Sequence, residues 1–303
     1  MQLDWDDIRI FLEVERTGRM NHAAKRMGVS HTTVARRLRQ MEERAGCHLF
    51  EPTDAGLVLT GAGRAILQTA QDMEGAAGML SDTLDRHNSA MSGRVRIGAP
   101  DGFGNAVLSQ FLPQLPLQEP GFEIELVPVP SRHKLWRRDV DIAISLERPE
   151  TGRLVMRKLI DYDLRLYASP ALIDRLGLPD SRDALSHYPF VGYIDELLYT
   201  SELDFNHLLL AEPKVVYKAT TVKAQMDAVL QGAGLGVLPC FMARGQDLVA
   251  VLPDDIGFSR TYWLLFPEDY KQISRIRRVS DFIYERTHAM ADVFRFAPQD
   301  RQK

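Results

Sequence analysis

The chain has 303 residues, of which 45% are hydrophobic and 26% are charged, and its formal net charge is −4. This composition is typical of a soluble globular protein with two or three domains. The first residues are acidic and no apolar segment follows them, which argues against a secretory signal. The longest uncharged stretch, residues 228–243, is too short to span a bilayer. We therefore expect a cytoplasmic protein without a membrane segment.

The two cysteines, Cys47 and Cys240, lie far apart in the sequence, and no CxxC, His-rich or HExxH motif is present. This pattern predicts reduced thiols, no metal site and no cofactor. We expect Cys47 to lie in the core of its domain. The apolar neighbours of Cys240 indicate a buried packing residue, with redox sensing as the alternative.

Positive charge is concentrated in residues 16–41, which hold seven Lys/Arg and no Asp or Glu. Apolar side chains recur at helical spacing on both sides of Gly28, which predicts two short helices joined by a turn. Gly28 suits a backbone position with positive φ, and Ser30 is a good N-cap for the second helix. The segment therefore has the pattern of a helix–turn–helix unit.

The second helix of this unit is the candidate DNA-recognition element. A rotation of about 100° per residue places its basic and short polar side chains opposite Val34 and Leu38, which would face the core. Such a helix fits a DNA major groove, although a solvated basic helix would show the same charges. The coincidence of periodicity, turn and charge favours DNA binding. The candidate DNA-contacting residues are Ser30, His31, Thr32, Thr33, Arg36, Arg37 and Arg39.

Residues 51–59 predict a short hairpin, or wing, and a long helix follows over residues 61–88. Apolar residues of this helix recur in alternating steps of four and three, as in a coiled-coil seam. They are Ile66, Ala70, Met73, Ala77, Leu80 and Leu84. The seam packs either on its own domain or on a second copy, and the length of the helix favours a dimer. Residues 89–93 read as a hinge.

From Arg94 onward, strands alternate with helices, which predicts an α/β domain with largely parallel sheets. The predicted strands are Val95–Ala99, Phe122–Val129, Val140–Leu146, Leu164–Ala168, Phe190–Tyr193, Val215–Thr220, Leu235–Leu238, Leu248–Leu252 and Thr261–Phe266. The predicted helices are Ala106–Leu112, Ser131–Arg138, Pro170–Leu176, Val222–Gln231 and Ile273–Arg295.

Ligands of such folds bind beyond the carboxyl ends of strands, beside helix N-termini. Residues 100–105 and residues 220–221 occupy such positions, although both could be ordinary strand–helix turns. Neither GxGxxG nor GxxxxGK[ST] is present, so the sequence supports no dinucleotide or triphosphate site.

These motifs resemble those of LysR-type transcriptional regulators. The N-terminal resemblance covers residues 3–63 and rests on Thr17-Gly18, Ala23-Ala24, Val29-Ser30, Leu49-Phe50, Leu59-Thr60 and Ala62-Gly63. A looser, collinear resemblance extends to about Phe296 through the segments 139–144, 168–170 and 232–239. Two features depart from the family pattern: Pro52 stands where an Arg is common in the wing, and His31 and Thr32 stand where Gln, Pro or Ser are common.

The resemblance implies an α/β effector domain of two subdomains, like a periplasmic binding protein, with an N-terminal all-α winged helix–turn–helix domain. The implied boundaries are 1–60 for the DNA-binding domain, 61–88 for the linker and dimerisation helix, 89–93 for the hinge and 94–303 for the effector-binding domain. Within that domain, subdomain 1 would comprise about 94–161 and 267–303, and subdomain 2 about 162–266.

A small-molecule effector is expected in the cleft between the two subdomains, close to the two loops described above. The expected lining residues are Asp101, Gly102, Phe103, Asn105, Pro130, Leu146, Tyr193, Thr220 and Thr221. The family often has Ser or Thr where Asp101 stands. A carboxylate there would repel an anionic effector, and it weakly favours a ligand with a donor or positive group, such as an amine.

The resemblance implies a regulator that binds double-stranded DNA at an inverted repeat and responds to a small effector, as a homodimer and usually a dimer of dimers. One alternative is that the same regulator senses oxidation or a protein partner. A weaker alternative is an enzyme or a solute-binding protein. The enzyme reading lacks a nucleophile–base pair, paired carboxylates or a cofactor loop. The solute-binding reading lacks an export signal.

Overall fold

The computed structural model describes residues 4–54, 56–87, 92–128, 140–149, 153–198, 200 and 203–297. It divides into two compact units. The first comprises the described residues up to 87 together with 269–274, and the second comprises the remaining described residues from 92 onward.

The first unit begins with three helices and a two-stranded wing. The elements are α1 (Trp5–Thr17), α2 (Met20–Met27), α3 (His31–Ala45), β1 (Phe50–Thr53), β2 (Gly56–Leu59) and α4 (Gly61–His87). Gly18, Gly28 and Gly46 each end a helix with φ between 63° and 69°. Glycine adopts this left-handed conformation without steric cost, so the three turns are sharp and the helices pack on one another. The helix–turn–helix and wing match the predicted positions.

The core of this unit is formed by apolar side chains of α1, α2 and α3, with Phe50 at the start of the wing. The rings of Phe11 and Phe50 lie 5.4 Å apart between centroids. The burial of Val34, Leu38 and Met41 fixes which face of α3 turns inward. Cys47 is exposed just beyond Gly46, so the expectation that it lies in the core is wrong. The chain has already left the helix there.

Helix α4 uses its predicted seam in two ways. Ala70 is buried, and Ile66 packs with it against the core of the first unit. Met73 and Leu80, further along, are 42% and 65% exposed. The side chain of Leu84 lies outside the described residues. The first half of the seam therefore packs on its own domain, and Met73 and Leu80 further along expose apolar surface.

The second unit contains eight short or medium helices among its described residues. They are α5 (Asp101–Phe103), α6 (Ser109–Phe111), α7 (Gln114–Gln118), α8 (Pro170–Leu176), α9 (Phe205–Leu209), α10 (Val222–Leu230), α11 (Cys240–Ala243) and α12 (Ser274–Ala289). A π-helical turn, Gly104–Leu108, joins α5 to α6. The last helix ends at Ala289, and a 3-10 turn, Ala291–Phe294, replaces its predicted continuation to Arg295.

The strands of the second unit form one large sheet and one two-stranded sheet. They are β3 (Gly93–Ala99), β4 (Phe122–Pro128), β5 (Ile142–Ser145), β6 (Leu154–Ala168), β7 (Phe190–Tyr193), β8 (Val215–Ala219), β9 (Gly236–Pro239), β10 (Val249–Ala250) and β11 (Phe258–Pro267). The large sheet has the order β10-β6-β11-β5-β3-β4, with β9 also paired to β6. Strands β7 and β8 form the smaller sheet.

The prediction of largely parallel sheets is wrong for the large sheet. Strand β3 is parallel to β4 and β5, whereas β11 is antiparallel to β5 and β6, and β6 is antiparallel to β9 and β10. The reason is that β6 carries the chain out of one half of the unit and β11 brings it back alongside. Two adjacent strands with opposite directions must pair antiparallel.

Strand β6 begins ten residues before its predicted start at Leu164. Its first part interleaves apolar with charged residues, such as Arg157, Lys158 and Asp161, which concealed the alternation expected of a strand. Gly93, placed in the predicted hinge, is already the first residue of β3 and has a φ of 122°. The predicted helix 131–138 and hinge residues 89–91 lie outside the described residues.

A largely buried ion pair joins α1 to α4. The Arg16 side chain is 7% exposed, pairs with Glu13 at 3.0 Å and makes a short ion pair with Glu74. Burial alone would lower the pKa of Arg16, but the attraction and the hydrogen bond of Glu74 raise it above its ordinary value. Arg16 is therefore charged under all practical conditions, and it neutralises two partly buried carboxylates.

Removing one partner of a buried ion pair leaves the other charge uncompensated. We expect Arg16→Met to destabilise the first unit by about 3 kcal/mol. The control is Arg9→Met, because Arg9 lies on the same helix and pairs with Asp6 at 3.6 Å with both side chains half exposed. Its cost should stay below about 1 kcal/mol. The free energy of unfolding is measured in urea, with hydrogen exchange of peptides from residues 5–45 as the probe. Equal losses of stability in the two variants would contradict a stabilising role for the Arg16 ion pairs.

Candidate functional sites

The start of α3 is held by a side-chain cap. The Ser30 hydroxyl accepts a hydrogen bond from the Thr33 backbone N–H at 3.1 Å, and Ser30 has extended backbone angles. The same hydroxyl lies 2.8 Å from those of Thr32 and Thr33. This cluster fixes the first turn of α3 and keeps short hydroxyl side chains at the helix N-terminus. Such a terminus can approach a phosphate or a base edge closely.

The polar face of α3 presents most of the residues that were predicted to contact DNA. His31, Thr32, Arg36 and Arg39 are exposed. Arg36 donates a hydrogen bond to the Gln40 side chain at 3.3 Å. The described part of the chain offers neither Arg36 nor Arg39 an ion-pair partner, so both guanidinium groups can reach an external anion. The Ser30 and Thr33 side chains lie at the same end of the helix.

Arg37 has a different environment from its neighbours on α3. Its guanidinium group lies 3.5 Å from carboxylate oxygens of Asp6 and Asp7 and 3.9 Å from Asp4, at the start of α1. The Asp7 carboxylate is buried and also binds Arg44 at 2.8 Å. Arg37 therefore holds α1 against α3, a role that the prediction of DNA contact did not include. The sequence showed the acids but not their proximity to this helix.

The wing is fixed to the end of α3 by one carboxylate. Glu42 accepts hydrogen bonds from the backbone N–H groups of Leu49 and Phe50 at 2.7 and 3.2 Å. Its other oxygen lies 3.2 Å from Nδ1 of His48. The wing therefore cannot shift without disturbing α3. Glu51, Pro52 and Asp54 on the wing are exposed, so it carries negative charge where a phosphate contact would need positive charge.

A cleft in the second unit is lined by residues from widely separated strands of the large sheet. It lies where β3 ends and α10 begins, beside the paired strands β6 and β11. Its free volume is about 20 Å3, which is room for one water molecule. It is lined by Pro100, Asp101, Gly102, Leu146, Tyr162, Leu164, Tyr193, Leu203, Phe205, Val222, Val237, Pro239 and Tyr262. Small-molecule sites range upward from about 300 Å3, so any metabolite would have to widen this cleft in order to bind.

Asp101 connects the two sides of this cleft. Its carboxylate accepts a hydrogen bond at 3.4 Å from the backbone N–H of Lys223, in the first turn of α10. Burial raises the pKa of Asp101 above its ordinary value of 3.8, and backbone N–H groups of Lys223 and Val222 partly offset this rise. Asp101 therefore stands at the N-terminus of α10, where the helix dipole is positive.

Gly102 permits the close approach of these two elements. A Cβ atom at Gly102 would lie 2.6 Å from Cγ1 of Val222 and 3.0 Å from the sulfur of Met242. Any larger residue would push α10 away from the start of α5 and separate Lys223 from Asp101.

Phe103 was predicted to line the cleft, and this is wrong. Its ring has no exposed surface and packs on Tyr262 and Phe294, with centroid distances of 4.4 and 6.1 Å. The helical backbone from Asp101 turns the next apolar side chain inward, beneath the cleft. The aromatic surface of the cleft is instead provided by Tyr162 and Tyr262, which are stacked at 4.3 Å.

The other predicted effector residues divide into two groups. Asp101, Gly102, Leu146 and Tyr193 line the cleft. Asn105 and Thr220 are exposed outside its lining, and the Thr221 hydroxyl caps α10 by accepting from the Ala224 N–H at 3.3 Å. Pro130 lies outside the described residues. The lining residues that the sequence did not indicate come from distant segments, and only the paired β6 and β11 bring them together.

Cys240 is buried, and its sulfur lies 3.5 Å from the Tyr167 hydroxyl. This is the environment of a packing residue, which gives no support to oxidation sensing at this thiol. Within the described ranges, no group of three or more His, Cys, Asp or Glu side chains could hold a metal ion. Over the same residues, no helix combines the length and apolar character needed to cross a membrane.

Comparison with known proteins places both units in one family. The family model described as the LysR substrate binding domain matches residues 88–287. The model for bacterial regulatory helix–turn–helix proteins of the lysR family matches residues 5–64. The first match alone spans most of the chain, so the chain belongs to the LysR family. It is a LysR-type transcriptional regulator with a helix–turn–helix domain and a substrate-binding domain.

Curated relatives align over nearly the full length of the chain. The Mau operon transcriptional activator of Paracoccus denitrificans is 28% identical over 92% of this chain and 95% of its own. The regulator PtxR of Pseudomonas aeruginosa is 26% identical over 98% of this chain and 97% of its own. The alignments include both the DNA-binding and the substrate-binding parts.

Solved structures show the same fold. A full-length variant of OxyR from Pseudomonas aeruginosa superposes with a TM-score of 0.73 at 15% identity, covering 97% of each chain. The LysR-type regulator CrgA from Neisseria meningitidis gives a TM-score of 0.57 at 19% identity, covering 94% of this chain and 99% of that one. At these identities the likeness concerns the fold. The predicted class, a winged helix–turn–helix domain followed by an α/β effector domain, is confirmed.

The raised pKa of Asp101 means that folding favours its protonated form. The protonated Asp101 carboxyl therefore stabilises the folded state below pH 3.8, and this contribution to stability is lost as the pH rises through the raised pKa. We therefore expect Asp101→Asn to have a higher melting temperature than the wild type at pH 7.5, and the difference to shrink as the pH falls towards 4. Thermal unfolding across this range tests it. Glu123→Gln, at an exposed position of β4, is the control and should show no such trend.

Proposed function

We propose that this LysR-type regulator binds an inverted-repeat operator through the first turns of α3, as a dimer or a dimer of dimers. The observation that supports it most is the division of α3 into two faces. One face is buried in the domain core, and the other presents hydroxyl groups followed by Arg36 and Arg39. Arginine forms bidentate hydrogen bonds with guanine edges, and short hydroxyl side chains allow close contact with DNA.

The arginines of α3 provide a matched test of DNA contact. We expect Arg36→Ala and Arg39→Ala each to weaken operator binding, by about 1–3 kcal/mol where the side chain contacts a base. A phosphate contact would instead weaken all sequences alike and reduce the salt dependence by about one ion. Arg37→Ala removes the same charge from the same helix, but its guanidinium group is bound to the acids of α1.

The operator is first selected from a random duplex library with the wild type, and affinities are then measured by fluorescence anisotropy over a range of salt concentrations. Arg37→Ala should lower the melting temperature and leave affinity within a few-fold of the wild type. Full affinity in an Arg36→Ala, Arg39→Ala double variant would contradict the proposed interface. A larger loss in Arg37→Ala than in the other two variants would contradict the assigned role of Arg37.

The second half of α4 is the proposed dimerisation surface. Met73 and Leu80 are seven residues apart, which is two helical turns, and both expose apolar side chains to solvent in the single chain. A dimer through this surface would present two recognition helices to two half-sites. A 27-residue helix is about 40 Å long, so it extends well beyond the domain that its first half packs against.

Lysines at this surface should separate the chains. We expect Met73→Lys, Leu80→Lys to give monomers with weak operator binding, because four ammonium groups would meet at the interface of a dimer. The control is Gln68→Lys, on the opposite side of α4, which should leave the assembly unchanged. Sedimentation velocity distinguishes the states, and a double variant that sediments like the wild type would exclude the seam as the dimer interface.

We further propose that the cleft of the second unit is the effector site. The support for this proposal is that Asp101, just after β3, contacts the first turn of α10, and that residues of both segments line the cleft. A ligand with unequal affinity for open and closed forms of the cleft would shift their populations and so alter operator binding.

A further inference from the structure

A short segment between β11 and α12 packs on α4. Residues 269–274 belong to the first compact unit, whereas β11 before them and most of α12 after them belong to the second. Tyr270 and Ile273 are buried, with 7% and 2% of their surface exposed, whereas Lys271 and Gln272 between them are exposed. This segment, which we call the strap, therefore has a buried inner side and an outer side in solvent.

Two glycines of α4 allow the strap to lie close to the helix. A Cβ atom at Gly75 would lie 3.1 Å from Cβ of Asp269. One at Gly78 would lie 3.1 Å from Cδ1 of Ile273. Both distances are shorter than the usual separation of about 3.5–4.0 Å between carbon atoms in contact. Glycine weakens the interior of a helix, but here it provides the space in which the strap is seated.

The Glu74 carboxylate joins the strap to the winged domain. Its Oε2 atom accepts a hydrogen bond from the Tyr270 hydroxyl at 3.4 Å. The same oxygen makes the short ion pair with Arg16 of α1. Polar contacts that share one group influence one another, so a shift of the strap changes the environment of the Arg16 ion pair.

The residues on either side of the strap are fixed within the second unit. The backbone N–H of Glu268 donates to the Arg153 carbonyl at 2.9 Å, and the two side chains pair at 3.6 Å. At the other end, the Arg275 side chain lies against Gly93, where a Cβ atom would be 3.3 Å from Cδ of the arginine. Because six extended residues span only about 20 Å, a large movement of β11 or α12 would pull the strap off α4.

The strap and the proposed dimerisation surface use different sides of α4. At a rotation of about 100° per residue, the two glycines lie about 140–160° around the helix from Met73 and Leu80. A second chain could therefore pack on Met73 and Leu80 while the strap stays seated on the glycines. The strap then acts on the same helix that would set the distance between two winged domains.

We propose that the strap fixes α4 for operator binding and transmits movement between this helix and the substrate-binding domain. With the strap seated, the two winged domains of a dimer are preorganised for two half-sites, which lowers the entropy that is lost on binding. With the strap lifted, each winged domain still binds one half-site, but the pair loses this advantage. The proposal rests on dimeric operator binding through α3 and adds the route of its regulation.

The two states of the strap make this regulation reciprocal. A ligand that moves β11 or α12 would shift the populations of the seated and the lifted strap. By linkage, operator binding must then alter the same two elements. This consequence can be measured without knowledge of the ligand.

A leucine at Gly75 should lift the strap, because the added side chain would meet the main chain of Asp269. The control for Gly75→Leu is Ala65→Leu, which adds the same side chain at an exposed position of the same helix. Fluorescence anisotropy compares the selected operator with a duplex that holds one half-site. We expect Gly75→Leu to lose about tenfold in affinity for the operator and to bind the half-site like the wild type. The control should bind both duplexes normally.

A second variant, Gly78→Leu, meets the flexible end of Ile273 and should show the same selective loss to a smaller extent. It serves in place of Gly75→Leu if that variant does not fold. The proposal is overturned if the leucine variants that fold keep the wild-type preference for the operator over the half-site.

A disulfide can hold the strap down. The Cβ atoms at positions 75 and 269 would lie 3.1 Å apart, a few tenths of an ångström below the range of about 3.5–4.5 Å in disulfides. The test protein is Gly75→Cys, Asp269→Cys in a Cys47→Ser background, which removes the exposed native thiol. It is compared with itself before and after reduction by dithiothreitol, so the sequence is its own control.

Hydrogen exchange of this protein tests the transmission without DNA. Closing the disulfide should slow exchange in α1 as well as in residues 258–289, and it should preserve operator affinity. Slower exchange confined to residues 268–280, or a tenfold loss of operator affinity in the oxidised protein, would overturn the proposal. In the wild type, operator binding should also change exchange in residues 258–289, and Gly75→Leu should abolish that change.

Failure of the strap can be told apart from failure of the proposed DNA binding. A wild type that binds one half-site as tightly as the operator would contradict dimeric operator binding. The exchange of α1 on closing the disulfide would still decide whether the strap and the winged domain are coupled.

Discussion

The antiparallel pairing of β6 with β11 is the constraint on which the second unit depends. The two strands are paired from Leu154–Pro267 at one end to Leu164–Phe258 at the other. Strand β5 pairs with the far side of β11, and β9 and β10 pair with the last residues of β6. The register shifts between Tyr262 and Trp263, close to the point where the Tyr162 and Tyr262 rings stack. Tyr162, Leu164 and Tyr262 of these two strands line the cleft, so the strand pair forms part of its wall.

Carboxylates organise both units of this acidic protein. In the first unit, Asp7 holds α3 to α1 through Arg37 and Arg44, and Glu42 holds the last turns of α3 to the wing. In the second unit, Asp101 holds the start of α10. These acids act through defined hydrogen bonds, which explains how a chain with a net charge of −4 can still leave Arg36 and Arg39 available on an exposed face. The net charge of the chain therefore did not indicate that it carries an exposed basic surface suited to DNA.

The helix–turn–helix unit could be predicted from the sequence because its determinants are local. The glycine turns, the Ser30 cap and the periodic apolar residues all act within a few positions of one another. The direction of the sheet pairs and the burial of Phe103 could not be predicted, since they depend on strands far away in the sequence. The same holds for Arg37 and Asp101, whose partners lie 30 and 122 residues away. Their residue types were informative, but the identity of their partners decides their roles.

The buried pair between Arg16 and Glu74 has a mechanical consequence for signalling. It fastens the end of α1 to the middle of α4, while Ile66 and Ala70 embed the first turns of that helix in the domain core. These contacts predict that the winged domain and the helix as far as Glu74 move as one rigid body. In the dimer proposed above, a change in the angle between two such bodies would arise beyond Glu74, where the helix carries the exposed Leu80. Because the winged domains lie far from that point, a small rotation there would move them by a larger distance.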